Sequence, residues 1–167
     1  MRIYAFLVLI FCLISCKDKQ LQTVEYDELI HYNLDTLAVN EDHINDILFG
    51  KAILNISDTL IIDQFKEFGF LKSTVDKSNH SKINQILTSK KNTIDNSKCL
   101  PIYRDFLILK KKNKTVGILK ICFECSQINY VDSFINEERL MIDENSLILE
   151  KLLQQKKSSQ LERLLAI

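Results

Sequence analysis

The chain is poor in glycine and proline, with three Gly and one Pro in 167 residues. The glycines stand alone at 50, 69 and 117, so no Gly-rich loop is available to cradle a phosphate. Neither an HExxH zinc helix nor a GxSxG nucleophile elbow occurs. A charge excess is missing too. The 22 Lys and Arg residues balance 22 Asp and Glu, which leaves no net field to draw in nucleic acid. Lys110-Lys111-Lys112 with Lys114 is the densest basic run. It surrounds Asn113 between two apolar segments and reads as a solvated hairpin tip, not a phosphate-binding patch. There is no internal repeat or low-complexity block, and abundant Ile, Leu and Phe argue against disorder.

The most specific pattern stands at the start. Met1 and Arg2 precede an apolar stretch from Ile3 to Ile14, which closes in Leu13-Ile14-Ser15-Cys16. A positive start, a short apolar core and a small residue make the layout of a secretory signal, with cysteine where another small residue would stand. A stretch of about 12 residues rises only about 18 Å, well short of the ~30 Å hydrocarbon slab. Lys17, Asp18 and Lys19 then stop it. As a buried helix it would be apolar all round, which suits only the centre of a larger protein. The pattern resembles the lipobox of bacterial lipoproteins. That resemblance implies a signal peptide over 1–15 and a diacylglycerol thioether with an acylated amine on Cys16. Residues 16–22 would then be a lipidated tether. Two or more acyl chains anchor stably where one is marginal, so the implied partner is a membrane, reached through the lipid on Cys16. An Asp directly after the lipidated cysteine favours inner-membrane retention in such proteins. Lys17 holds that place here, so the implied envelope location leans toward the outer membrane.

Loss of residues 1–15 from 167 leaves 152, enough for one domain over 23–167. Tyr26, Leu29, Ile30, Leu34 and Leu37 recur at helical spacing after Thr23, although an alternating strand from Val24 to Tyr32 competes. Asn40 is placed to cap a helix carrying Ile44, Ile47 and Leu48 and closed by Gly50. Ser57 is expected to cap another, with Leu60, Ile61, Phe65 and Phe68 on one face and Gly69 at its end. A third runs from about Asn79 to Lys90, and the polar stretch Lys91 to Lys98 reads as a loop. Phe106 to Leu109 and Val116 to Phe123 flank a polar turn and predict a hairpin. Both faces of its first strand are apolar, so it should be central or covered on both sides. Asn129-Tyr130-Val131 is expected to add an edge. From Ser146 the helical period returns through Leu149, Leu152, Leu153, Leu161, Leu164 and Leu165. Ser159-Gln160-Leu161-Glu162 matches a capping box, which would divide the segment into two helices. The expected fold class is α+β, a small antiparallel sheet built on a central hairpin at about 104–124 with helices packed on it.

Chemistry is confined to the cysteines. Once Cys12 leaves with the signal and Cys16 is lipidated, Cys99, Cys122 and Cys125 remain, and outside the cytoplasm they meet oxidising conditions. Cys122-Phe123-Glu124-Cys125 has CxxC spacing. A thiol-redox site needs its first cysteine at a helix N-terminus, and the residues after Cys125 do not read as helix. A zinc site needs a fourth ligand, and the nearest histidine, His80, lies nineteen residues before Cys99. The remaining reading is one disulfide. If Ile118 to Cys125 is extended, Cys122 and Cys125 face opposite sides of the sheet. Cys99 is then a partner for one of them, and the odd thiol should be buried. Cys99-Leu100-Pro101 followed by Ile121-Cys122-Phe123-Glu124-Cys125 resembles a pattern of small envelope lipoproteins, which implies no particular activity.

Glu41-Asp42-His43 with Asp46 is best explained by the acidic preference of a helix first turn. His31 and His80 read as surface or helix-end histidines, and Glu137-Glu138 with Asp143-Glu144 as loop and helix-start charges. The expectation is a non-catalytic, protein-binding envelope lipoprotein, an assembly factor or an inhibitor, with no cofactor, no metal and no nucleic acid. The alternative is a thiol-redox or metal-handling lipoprotein using Cys99, Cys122 and Cys125.

Overall fold

The computed structural model describes residues 24–34, 41–89, 99–141 and 143–165. The signal, Cys16, the 16–22 tether, Asn40 and the 91–98 loop lie outside them. In chain order the elements are β1 (Glu28–Leu34), α1 (Glu41–Leu48), α2 (Thr59–Asp63), β2 (Phe70–Thr74), α3 (Lys77–Leu87), β3 (Asp105–Lys111), β4 (Lys114–Cys122), β5 (Gln127–Val131), β6 (Asn136–Leu140) and α4 (Asp143–Leu165). The six strands form one sheet in the order β2-β1-β3-β4-β5-β6, and every pairing is antiparallel. The fold is α+β, with helices against both faces of the sheet.

The predicted β3–β4 hairpin lies at the centre, and both of its faces are buried. On one face Phe106, Ile108 and Ile118 join Ile30, Tyr32, Leu34, Ile44, Ile47, Ile62 and Phe65. On the other, Leu107, Leu109, Leu119 and Ile121 join Leu29, Ile83, Ile86, Leu149 and Leu153. The first core is built round stacked and edge-on rings. Phe65 stands 4.5 Å from Phe70, 4.9 Å from Phe106 and 5.2 Å from Tyr32 between ring centres, spacings at which aromatic pairs attract beyond their burial.

Several expectations need correction. Tyr26 to Leu34 is not helical: β1 lies between β2 and β3 and is buried on both faces. Such a strand carries apolar residues on both sides, so period alone does not separate it from a helix. The helix expected from Ser57 to Gly69 shrinks to Thr59–Asp63, begun at Asp58. Phe65 and Phe68 follow it in turns. Gly69 does end the segment, at φ 89°, a conformation glycine adopts without strain. Strand β5 is not an edge, because β6 pairs outside it. Glu137 and Glu138 therefore lie on a strand, not in a loop. The last helix is continuous from Asp143 to Leu165 and is not broken at Ser159. The helix expected from about Asn79 to Lys90 runs Lys77–Leu87 as α3, capped by Asp76, which accepts from the Ser78 N–H at 2.8 Å.

Lys112 and Asn113 turn the central hairpin at φ 49° and 67°, the left-handed pair that a two-residue hairpin turn requires. Asn tolerates that region; a lysine is strained there. The Lys112 N–H also donates to Asp27 at 2.8 Å, a bond that glycine would keep. Lys112→Gly is expected to raise stability by about 0.5–1 kcal/mol, read as a higher urea midpoint at unchanged slope. A lowered midpoint would show that the backbone there is not strained.

Candidate functional site

The three cysteines converge at one end of the sheet. Cys99 lies on the segment leading into β3. That segment is held by the Tyr103 N–H, which donates to the Leu48 carbonyl at 2.7 Å, and by the Arg104 carbonyl, which accepts from Leu34. Strand β4 ends at Cys122, and the chain turns through 123–126, with Ser126 at φ 49°. The turn brings Cys125 to Cys99, and the two form a disulfide with Cα atoms 5.9 Å apart. Cys122 is left as a buried thiol. Burial pushes its acidity down, raising its pKa, despite backbone hydrogen bonds from Ile102 and Cys125 that favour the thiolate. Glu124, 3.6 Å from the sulfur, adds to the rise. A reactive cysteine has the opposite properties, a lowered pKa and access to solvent. The CxxC spacing thus contains one disulfide partner and one sheltered thiol.

A second polar group, which sequence reasoning passed over, lies two residues earlier. Lys120 is only 2% exposed. In the sheet it stands in a row of Tyr32, Phe106, Lys120, Asn129 and Glu138, all on one face. Its ammonium donates to the carbonyls of Gly50 at 2.9 Å and Ile53 at 2.8 Å. It also sits 5.8 Å from the centre of the Tyr103 ring, within cation–π range. Gly50 takes φ 72° at the end of α1. A Cβ there would come within 2.9 Å of the Tyr103 ring, so glycine is needed for both the turn and the approach. Burial lowers the Lys120 pKa to about 8, partly offset by the charges of Glu138 and Asp58. The signal was present: a lone lysine amid Ile118, Leu119, Ile121 and Cys122, in a strand paired to one that is apolar on both faces, has no route to water.

On the opposite face, His31 is buried in β1, not at a surface or helix end. Its Nε2 lies 2.8 Å from Asp105 Oδ1, and the Asn33 amide donates to the same oxygen at 2.9 Å. Ser73 stands directly across from His31 on β2, so a serine, a histidine and an aspartate share one corner. A nucleophile must be joined to its base by a hydrogen bond, and no such bond is seen between Ser73 and His31. The His31–Asp105 contact instead ties β1 to β3. His80 packs on Tyr26 with ring centres 5.0 Å apart, and burial raises the Tyr26 hydroxyl to about 12.

Among the described residues, no group of three or more His, Cys, Asp or Glu is placed to hold a metal. An open depression of about 440 Å³ lies beside Tyr26, Asp27, Asn84 and Lys111. It is flanked by the Lys111–Glu25 ion pair, which lowers the Glu25 pKa. Lys120, His31 and Asp105 thus act as ties between elements. Large apolar side chains also stand on the surface, where Phe134 is 95% exposed, Leu60 77% and Leu54 59%. Compared with family models, with curated proteins and with solved structures, the chain gives no match.

The burial of Lys120 has a pH signature. An unfolded lysine titrates near 10.4, and the folded one near 8. Between those values the unfolded chain binds the extra proton, so stability rises with pH across that window and is lowest below it. Lys120→Met leaves two buried carbonyls unpaired and should cost about 2–4 kcal/mol at pH 7. The gap between wild type and variant should widen from pH 8 to 10. A gap independent of pH would mean that the amine titrates as if in water.

Proposed function

We propose that this protein is a lipid-anchored envelope protein whose single domain binds another protein and does no catalysis. The observation that carries the reading is the Cys99–Cys125 disulfide, taken with the lipobox resemblance at Leu13-Ile14-Ser15-Cys16. Disulfides persist in oxidising compartments, and a lipobox directs a chain to one. Two distant parts of the sequence therefore favour the same destination. Among the described residues no helix is long and apolar enough to cross a membrane. On this reading the lipid on Cys16 supplies the attachment, and Lys17 after it favours the outer membrane.

The non-catalytic reading is supported by how the interior groups are used. Lys120 is bound to main-chain carbonyls, His31 is bound to Asp105, and the pKa of Cys122 is raised. A binding role, as an assembly factor or an inhibitor, is supported by large apolar side chains left in solvent on well-tied loops. Attachment to a surface raises the effective concentration of such a domain toward partners held there.

Fractionation and thiol counting test the proposal. Wild type is expected with the membranes, and Cys16→Ala should not be processed to the lipidated form. Maleimide should label no thiol in the native lipidated protein, one in denaturant and three after reduction. Three reactive thiols before reduction, or a processed Cys16→Ala protein still in the membrane fraction, would overturn it.

A further inference from the structure

Among the described residues, the outer side of β6 has an unpaired hydrogen-bonding ladder. Beyond the two ends of the β5–β6 pairing, the Met141 N–H donates to Ser126 and the Asp132 N–H donates to Ile135. Paired residues here exchange bonds at alternate positions. Glu137 and Arg139 therefore face Tyr130 and Ile128 with their backbone groups, in register. The N–H and C=O groups of Asn136, Glu138 and Leu140 then point away from the sheet. Among the described residues no strand pairs with them, because β6 ends the sheet.

Two hydrogen-bonded loops flank this edge and present apolar side chains. In the β5–β6 loop, Asp132 accepts from the N–H groups of Phe134 at 2.6 Å and Ile135 at 2.8 Å, and the Phe134 ring stands in solvent. In the loop before α2, Asp58 accepts from the N–H groups of Leu54 and Asn55 at 2.9 and 2.8 Å. The Asn136 amide joins the two, donating to the Leu54 carbonyl while its own oxygen accepts from Asn129. Phe134 and Leu54 are thus exposed on loops whose backbones are already hydrogen-bonded, which lowers the ordering cost of binding there.

The charges select what can bind. Glu138 faces the same side as Asn136, and both Glu138 and Asp58 act on the Lys120 amine, which places their carboxylates in one neighbourhood. Asp132 adds a third at the hairpin tip. Antiparallel pairing of β6 with β6 of a second copy, centred on Glu138, would set Glu138 against Glu138, and like charges across strands repel. A basic strand meets attraction instead.

Resting on the protein-binding reading above, we propose that β6 receives an extended segment of a partner protein by strand addition. That segment carries Lys or Arg on the face toward Glu138 and Asp58, and apolar side chains reaching Phe134 and Leu54. The backbone ladder supplies affinity and the flanking side chains supply selectivity.

The test uses the full-length protein in detergent with two synthetic probes, a ten-residue alternating Lys-Val peptide and its Glu-Val counterpart, followed by residue-resolved amide exchange. The Lys-Val peptide should slow exchange at Asn136, Glu138 and Leu140 at least about fivefold, and the Glu-Val peptide should not. Glu138→Lys should weaken binding by about tenfold and flatten its salt dependence. Phe134→Ala, at a side chain outside the core, should weaken it about threefold or more. Equal protection by both peptides, or none by either, overturns the charge-selected edge. Protection that appears without peptide as protein concentration rises assigns the edge to a second copy and also overturns it. Protection of other strands alone overturns the edge while keeping a protein-binding domain. Failure of the anchoring reading shows separately, in the fractionation and thiol count.

Discussion

A positive charge taken out of water has to be given acceptors, and Lys120 meets that demand with the carbonyls of Gly50 and Ile53. Much of the surrounding architecture follows from this pair of bonds. They hold the segment after α1 against the middle of the sheet, so Gly50 must turn left-handed without a side chain. Tyr103 fills the space beside it and covers the amine with its ring. The Tyr103 backbone is bonded in turn to the end of α1, which fixes the path that carries Cys99 toward Cys125. Replacing a buried ion by apolar groups is often neutral for stability in general. Here the ion also organises a loop, so its removal would leave main-chain acceptors without donors.

The central hairpin, the closing helix and the α+β class were legible because their patterns are local. Phe106 to Leu109 and Val116 to Phe123 are rich in strand formers and separated by a polar turn, and no tertiary information is needed to pair them. The single disulfide with one sheltered thiol was legible in outline, from the CxxC spacing and the strand that precedes it. Strand β1 was ambiguous because two-sided burial erases the alternation that marks a strand. Strands β2 and β6 were missed for another reason. Phe70-Leu71-Lys72-Ser73-Thr74 buries a single large residue, and Asn136-Glu137-Glu138-Arg139-Leu140 has almost no strand former. Both are strands because a neighbour offers hydrogen bonds, and that depends on the fold rather than on the segment. His31 was readable as buried only once its strand was known to be covered on both faces.

The two faces of the sheet handle polarity in different ways. One buries an ammonium against main-chain oxygens, the other an imidazole against a carboxylate and an amide. Each solution spends its hydrogen bonds inward and links strands or loops that are far apart in sequence. The surface shows the reverse arrangement, with apolar side chains outside and main-chain donors held by aspartates beneath them. That inversion is what the binding proposal draws on.

Strand order also sets an order of assembly. Strands β3 to β6 are consecutive neighbours in the sheet, so this four-strand meander closes only short loops as it forms. Strand β1, by contrast, reaches β3 across a separation of 74 residues at His31 and Asp105. A pairing of such high contact order bears a larger loop-closure entropy and forms later. The earliest part of the domain to be synthesised is therefore among the last to find its place, and β2 has no sheet to join until it does. Its short connections make the β3–β6 meander the nucleus that contact order favours, with β1 joining as the keystone. A chain interrupted before β3 is complete has only the β1–β2 pair to build on, whereas a chain that has made β6 offers that pair the edge of β3.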